Sequence, residues 1–403
     1  MRRPCIHCKS FNHASDLCPL YVKAQSYFKI QQKLPEGSFS GSAPAPFIGR
    51  YGYPHVHVGV LSPPEQSPEA WLLDAPRHWA KSNFHIPQIA EFRSSLINSR
   101  IVMNIKDSHK FLPIVQEVGM ASRPVDVDVD LKEKPVFTVK VDSYHAPMGP
   151  AAELKNLAVT SNPTISTKVE KVVDDTDLLA VDAITYLHKH EFDENFLTKL
   201  LSVGAVGIEQ NRKLVPTRWA ITATDDMLAN HLLQNVRDAA VQDSYQAFFG
   251  GYLGNYYLLL FFPDYWQYEL FETYLPQREN IQYATDSEPF TGRKEYAENC
   301  AGGYYAPRLA IAEHLQLMKR QGAVLALRFI TEEYTLPLGV WVTREATRKA
   351  LASKPLLFST KELLLMYARN LVKNKFGFVL DLLLQQSKLL KELHKQQRLS
   401  AYT

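Results

Sequence analysis

The sequence predicts an α+β protein with a small N-terminal zinc module, a mixed α/β body and a helical C-terminal region. Three observations carry this expectation. Three of the four cysteines of the 403-residue chain fall within its first eighteen positions, beside His13. Short stretches at 55–60 and 125–130 alternate apolar and polar residues as half-buried strands do, between segments of helical spacing. Residues 360–397 read as a long helical tract with one interruption, at Phe376, Gly377 and Phe378.

In chain order, residues 1–20 form the zinc-binding module, and 21–285 a central α/β region. Residues 286–395 form a C-terminal region ending in basic helices, and 396–403 a tail. Residues 35–65 are rich in Gly, Pro and Ser and read as loop around the strand at 55–60. Residues 77–99 have helical spacing. Strict Val/Asp alternation at 125–130 predicts a strand with one acidic face, and a Pro/Gly turn follows at 146–150. Residues 168–202 read as two helices, with Asp174 or Asp175 as the start signal of the first. Strands are expected at 213–224 and 251–262, a helix at 303–321 and a buried strand at 323–330.

Composition sets the broad class. A hydrophobic content of 46% with 22% charged residues is ordinary for a globular chain long enough for two or three domains or one large one. No apolar run approaches the ~20 residues of a membrane span, and no signal-peptide pattern precedes the cysteines. The expected setting is the cytoplasm, associated with the nucleoid and away from membranes. Net charge is only +3, yet residues 344–398 carry twelve Lys or Arg against four Asp or Glu, so the basic end is a candidate for nucleic acid.

The spacing Cys5-x2-Cys8-x4-His13-x4-Cys18 places four soft ligands in fourteen residues. A reducing compartment favours metal over disulfide. Zinc takes thiolate and imidazole tetrahedrally, and a loop this short needs the metal to fold. With four positions filled the zinc is structural. His7 is the rival of His13 but sits between the first two cysteines. The spacing equals that of zinc knuckles, which bind single-stranded nucleic acid, although Lys9 stands where a knuckle has glycine. Cys300 is distant and reads as a core residue.

At the other end, Gln396, Leu399 and Tyr402 fit the Gln-x-x-aliphatic-x-x-aromatic pattern that docks on DNA sliding clamps. One helical turn would send the two apolar side chains into a pocket. Thr403 stands where a full motif has a second aromatic.

Five internal motifs do not read as scaffold. They are Phe-Ile-Gly-Arg-Tyr-Gly-Tyr-Pro at 47–54, Val-Pro-Thr-Arg-Trp-Ala-Ile-Thr-Ala-Thr-Asp-Asp at 215–226, Gly-Arg-Lys-Glu-Tyr-Ala at 292–297, Ala-Gly-Gly-Tyr-Tyr-Ala-Pro-Arg-Leu at 301–309, and Pro-Leu-Gly-Val-Trp-Val-Thr-Arg-Glu at 337–345. In this order, with the terminal cysteines and the tail, they resemble the archaeal Nre family of DNA repair proteins over nearly the whole chain. The resemblance implies a role in DNA damage repair. It also implies recruitment to the sliding clamp (PCNA) through Gln396, Leu399 and Tyr402. It implies a zinc-type cluster that is commonly all cysteine, so that His13 replaces one Cys here. It supplies no reaction.

The residues add two readings. Arginines alternate with aromatics at Arg50, Arg218 and Trp219, Arg293, and Tyr304, Tyr305 and Arg308. Guanidinium forks bind phosphate and aromatic faces stack on bases, so a groove for single-stranded or distorted DNA follows; the competing account pairs the arginines with carboxylates and puts the rings in the core. Asp225, Asp226, Glu269, Glu272, Asp286 and Glu288 are candidate ligands for Mg²⁺ or Mn²⁺ in phosphodiester cleavage. Asp225 and Asp226, after an apolar strand, are the first candidates for catalysis; the competing account is salt bridges to Arg and a helix cap. No P-loop, dinucleotide fingerprint or Ser/Cys nucleophile signature is present. Three functions fit. The favoured one is a repair factor that binds DNA and the clamp. The others are a metal-dependent nuclease for damaged or branched DNA, and an adaptor tethered to the clamp without binding DNA.

Overall fold

Val125, Val127 and Val129, each at most 1% exposed, alternate with Asp126, Asp128 and Asp130 on the opposite face of one strand. This period-two pattern organises the first of two sheets in a computed structural model that describes residues 18–33, 37–135, 137, 146–275 and 282–395. The chain divides into a first unit that runs to Leu228 and takes back Thr335–Gly339, and a second made of Ala229–Tyr334 and the residues from Val340 onward.

In the first unit, α1 (Pro19–Lys33) precedes β1 (Ser38–Ala43), β2 (Ala45–Ile48) and β3 (His55–Ser62). Helices α2 (Pro76–Lys81) and α3 (Ile86–Ser94) lead to β4 (Ile97–Asn104); α4 (Leu112–Met120) leads to β5 (Val125–Leu131) and β6 (Ala151–Val159). Then follow α5 (Thr167–Asp174), α6 (Ala180–Lys189), α7 (Glu194–Ser202) and α8 (Thr217–Asp238), the last running on into the second unit. The strand order is β1-β5-β6-β4-β3-β2. Only Pro44 separates β1 from β2, yet they hold opposite edges, so the sheet must roll toward closure. All pairings are antiparallel except β4 with β6, which spans only Asn98↔Ala151 to Arg100↔Glu153. One face of β3 is apolar and buried through Val56, Val58 and Val60.

The second unit contains β7 (Tyr245–Tyr252), β8 (Asn255–Phe262), β9 (Gln267–Tyr274), β10 (Gln282–Glu288), α9 (Gly302–Met318), β11 (Ala323–Ile330), α10 (Trp341–Leu351), β12 (Leu356–Phe358), α11 (Lys361–Phe376), α12 (Asp381–Leu384) and α13 (Lys388–Lys395). Its sheet order is β10-β9-β11-β8-β7-β12, with β9 and β11 parallel. β8 and β11 are nearly continuous apolar runs because both faces are covered. On one face Leu258, Leu260, Leu325 and Leu327 join Leu364, Ala368 and Val372 of α11 and Leu383 and Leu389 of α12 and α13. α10 packs on β7 and β8 and against α9.

The expected strands at 55–60, 125–130 and 323–330 are present, as is the helix at 303–321. The break at 376–378 is a helix end, where Gly377 has φ +66°. Cys300 is buried at 6% exposure. Several expectations need correction. Residues 217–224, read as strand, open α8: Ala220, Thr224 and Leu228 recur every four residues and are buried. Residues 77–99 are α2, α3 and the start of β4, broken where Asn83 takes φ +55°. Residues 168–202 hold three helices. Ser166 caps the first, Asp175 closes it, and Asp193 caps the third. Of the expected zinc ligands, Cys5, Cys8 and His13 lie outside the described residues; Cys18 is buried just before α1. Gln396, Leu399 and Tyr402 also lie outside them. Among the described residues no helix is long and apolar enough to cross a membrane.

Candidate nucleic-acid interface

The motif at 47–54 becomes the turn between β2 and β3. Gly52 has φ +83°, and a Cβ there would stand 2.6 Å from the His55 carbonyl oxygen, so the turn needs glycine. The Tyr53–Pro54 bond is cis. Three backbone-anchored segments meet at this end of the sheet. The Ile105 N–H donates to the Pro54 carbonyl at 3.0 Å, the Leu214 N–H to the Ile105 carbonyl at 2.9 Å, and the Ile48 N–H to Thr217 Oγ1 at 3.2 Å.

This scaffold brings Arg50, Arg218 and Trp219 together, as the sequence suggested for a groove, and adds Tyr51 and Tyr53. Arg218 and Trp219 occupy the first turn of α8, whose amide dipoles favour anions. The Tyr53 and Trp219 rings lie 5.1 Å apart at 55°. The Arg50 guanidinium sits 4.8 Å from the Tyr51 ring centroid and donates to its hydroxyl at 2.9 Å. Tyr51, Tyr53 and Trp219 are 65%, 44% and 44% exposed, far above core aromatics. Arg218, Lys106 and Lys213 are exposed on the same segments. Cations beside open ring faces suit phosphates and unstacked bases.

Arg293, Tyr304, Tyr305 and Arg308 have another place. Arg308 is 2% exposed; its Nε donates to Glu288 at 2.9 Å and its Nη2 to Asn230 Oδ1 at 2.8 Å. Arg293 is bound to the carbonyls of Ser287, Glu295 and Tyr296 and to Asp286 at 3.0 Å, and lies over the Tyr304 ring. Tyr304 is fully buried, and the Tyr305 hydroxyl accepts the Ala297 N–H at 3.0 Å. These four do not line an open groove: both guanidiniums are engaged and both rings buried inside the second unit.

Four of the six carboxylates are committed too. Asp225 and Asp226 lie on α8, not at a strand end, and Asp225 is fully buried. The arrangement that made them catalytic candidates is thus absent. Glu272 pairs with Arg328; Asp286 takes the Cys300 N–H at 2.7 Å; Glu288 takes Trp266 Nε1–H at 2.9 Å as well as Arg308. Glu269 accepts the Ser387 hydroxyl and the N–H groups of Lys388 and Leu389 at 3.0 and 3.1 Å, capping α13. Burial pushes its pKa up, partly opposed by those hydrogen bonds. Among the described residues no three His, Cys, Asp or Glu gather as a metal-ligand set.

Sequence reasoning passed over Arg100, on the face of β4 that also carries Val102 and Asn104. The register Phe47↔Gly59↔Arg100 puts a glycine between ring and guanidinium, which meet at 5.8 Å. The signal was Asn98, Arg100 and Asn104 at same-face positions of a strand whose other residues, Ser99 apart, are apolar.

Two family models match the chain: archaeal Nre, N-terminal, over residues 14–279, and archaeal Nre, C-terminal, over residues 288–402. The DNA repair protein NreA of Haloferax volcanii is 35% identical over 325 residues, 77% of each chain. The DNA repair protein NreB of Archaeoglobus fulgidus is 34% identical over 364 residues, 89% of this chain and 90% of its own. No solved structure matches.

Proposed function

The chain belongs to the archaeal Nre family, and we propose that it is a DNA damage repair factor that grips DNA with its first unit and reaches the sliding clamp through residues 396–403. The relatives' names as DNA repair proteins support the repair role. The DNA contact rests on one observation, the exposed cluster of Arg50, Tyr51, Tyr53, Arg218 and Trp219. Rings of that exposure at the surface of a core-forming chain suit bases that are already unstacked, so the substrate class is single-stranded or distorted DNA.

The clamp contact is supported by the Gln396, Leu399 and Tyr402 pattern and by its position directly after α13. A structural zinc ion held by Cys5, Cys8, His13 and Cys18 would clip the chain in front of α1. The donor types and spacing support it, and buried Cys18 lies where a thiolate gains from the first-turn amides of α1.

Fluorescence anisotropy with a labelled oligo(dT) tests the DNA contact. The double variant Arg218→Gln, Trp219→Ala should bind more weakly by about 1–3 kcal/mol per stacked base lost, with a shallower salt dependence. Unchanged affinity would remove the cluster from the interface. Clamp binding is tested in parallel by deleting residues 396–403. Loss of clamp affinity with DNA affinity kept supports the two-contact reading, whereas clamp binding by a protein without DNA affinity would make it an adaptor.

A further inference from the structure

We infer that the cleft where β4 and β6 part is a binding site for the sugar–phosphate backbone of a single nucleic-acid strand, with Arg100 as its central phosphate ligand. This deepens the proposed DNA contact and rests on it for the identity of the strand.

The cleft follows from strand register. β4 and β6 pair only as far as Arg100↔Glu153. Past that point β6 is held by β5, through Leu131↔Leu154 to Val127↔Val159, and β4 by β3, through Ile101↔Val58 to Asn104↔His55. The strands diverge and leave a hollow of about 590 Å³, within the ~300–1,000 Å³ typical of ligand sites. Arg100 and Val102 line one side and Lys155 the other, and Lys110 enters from the segment before α4.

Among the described residues, charge in the hollow is one-sided: the one carboxylate among them, Glu153, is already paired with Lys132. Arg100, Lys110 and Lys155 have no carboxylate partner among the described residues. Arg100 is half-buried, and desolvation without a compensating anion lowers its pKa. Its guanidinium is nonetheless held in place, lying on the Phe47 ring across Gly59. A fixed, partly desolvated fork without an anion is complementary to a phosphate. Val102, 58% exposed in the middle of a sheet, gives the sugar or base an apolar wall.

The cleft also leads toward the aromatic cluster. Along the β3–β4 ladder, His57↔Val102 is followed on the same face by His55↔Asn104, and then by the Pro54–Ile105 contact that anchors the Tyr53 turn. A strand lying in the cleft would thus place its phosphates on Arg100, Lys110 and Lys155 and carry its bases toward Tyr53 and Trp219.

His57 supplies a second readout. Burial first, and then Arg100, depress its pKa. A bound phosphate would offset Arg100 and raise it. The experiment uses the full chain and the triple variant Arg100→Gln, Lys110→Gln, Lys155→Gln, in surface-accessible positions, with folding checked by circular dichroism. Anisotropy with labelled oligo(dT) should show affinity falling roughly tenfold or more at low salt, and the log–log salt slope falling by about 0.7 per cation removed. Oligo(dT) binding by the triple variant equal to the parent, while Arg218→Gln, Trp219→Ala weakens it, would overturn the cleft and leave the DNA reading standing. If the parent protein binds no oligo(dT), the DNA reading fails, and an NMR titration of His57 with the dinucleotide pTpT decides the cleft. A raised His57 pKa that disappears in Arg100→Gln supports a phosphodiester site; no shift in the parent protein overturns it.

Discussion

The most stringent test of the fold's energetics is Glu269→Ala. Glu269 is 1% exposed on β9, and its carboxylate takes the N–H groups of Lys388 and Leu389 and the hydroxyl of Ser387. Ser387 in turn accepts the Leu390 N–H at 3.0 Å, so one carboxylate and one hydroxyl together cap α13. Truncation removes the acceptor of two amide donors, each bond to a charged group contributing about 1.5–3 kcal/mol. The Ser387–Leu390 bond survives, and removing a buried carboxylate whose pKa burial already raises returns part of the loss. The net cost expected is about 2–3 kcal/mol, and Glu269→Gln, which keeps one acceptor, should cost about half as much. Urea unfolding of the full chain reads the loss, and hydrogen exchange at Leu389 and Leu390 locates it. The pH dependence has a definite sign. A carboxyl whose folded pKa is raised contributes stability that is fully present below its unfolded pKa, near 4.5, and is lost as pH rises through the folded pKa. Glu269→Gln should remove that fall. Parental exchange rates at Leu389 and Leu390 in Glu269→Ala would refute the capping argument.

Three further outcomes are expected. Arg308→Met leaves Glu288 buried without its ion-pair partner, so urea unfolding should show a loss of about 3–5 kcal/mol, partly restored by adding Glu288→Gln. Gly59→Ala drives a Cβ to 1.9 Å from the Ser99 carbonyl oxygen, so the β3–β4 ladder must open and the melting temperature must fall, while an alanine at Gly37, where a Cβ meets nothing, is strained only by φ. Metal analysis should find stoichiometric zinc in His7→Ala and not in His13→Ala; zinc lost only from the His7 variant would reverse the ligand assignment.

Much of the fold was legible where the local pattern and the burial agree. The Val/Asp alternation of β5 could only be a strand with one wet face, and the apolar run of β11, interrupted only by Arg328, reads as a strand covered on both sides. Residues 217–224 misled because Trp219, Ile221, Thr222 and Thr224 have strand propensity, while the deciding feature, the four-residue recurrence of Ala220, Thr224 and Leu228, becomes clear only over the full length of α8. The boundary between the two units falls inside that same helix, between Leu228 and Ala229, and a continuous helix carries no linker composition to mark it.

The candidate site was legible in kind but not in place, for an electrostatic reason. Arg50 with Tyr51 and Arg308 with Tyr304 and Tyr305 are the same local pattern, and sequence offers no means to rank them. What separates them is whether the fold supplies a carboxylate. Glu288 and Asp286, on β10, meet Arg308 and Arg293; Glu272, on β9, meets Arg328; Glu313, on α9, meets Arg348 at 2.7 Å. Each partner comes from an element other than that of its arginine, brought near by sheet register and helix packing. Those arginines are neutralised internally, and a buried cation so paired has no donor left for a ligand. Arg50, Arg100 and Arg218, all in the first unit, have rings beside them or a helix start beneath them and form no ion pair with an acid among the described residues. An uncompensated arginine held in place by an aromatic face is the arrangement that binding a phosphate relieves. On that criterion the proposed nucleic-acid surface lies on the first unit rather than on the motifs of the second, with Arg50 and Arg218 in the proposed DNA contact and Arg100 in the proposed cleft.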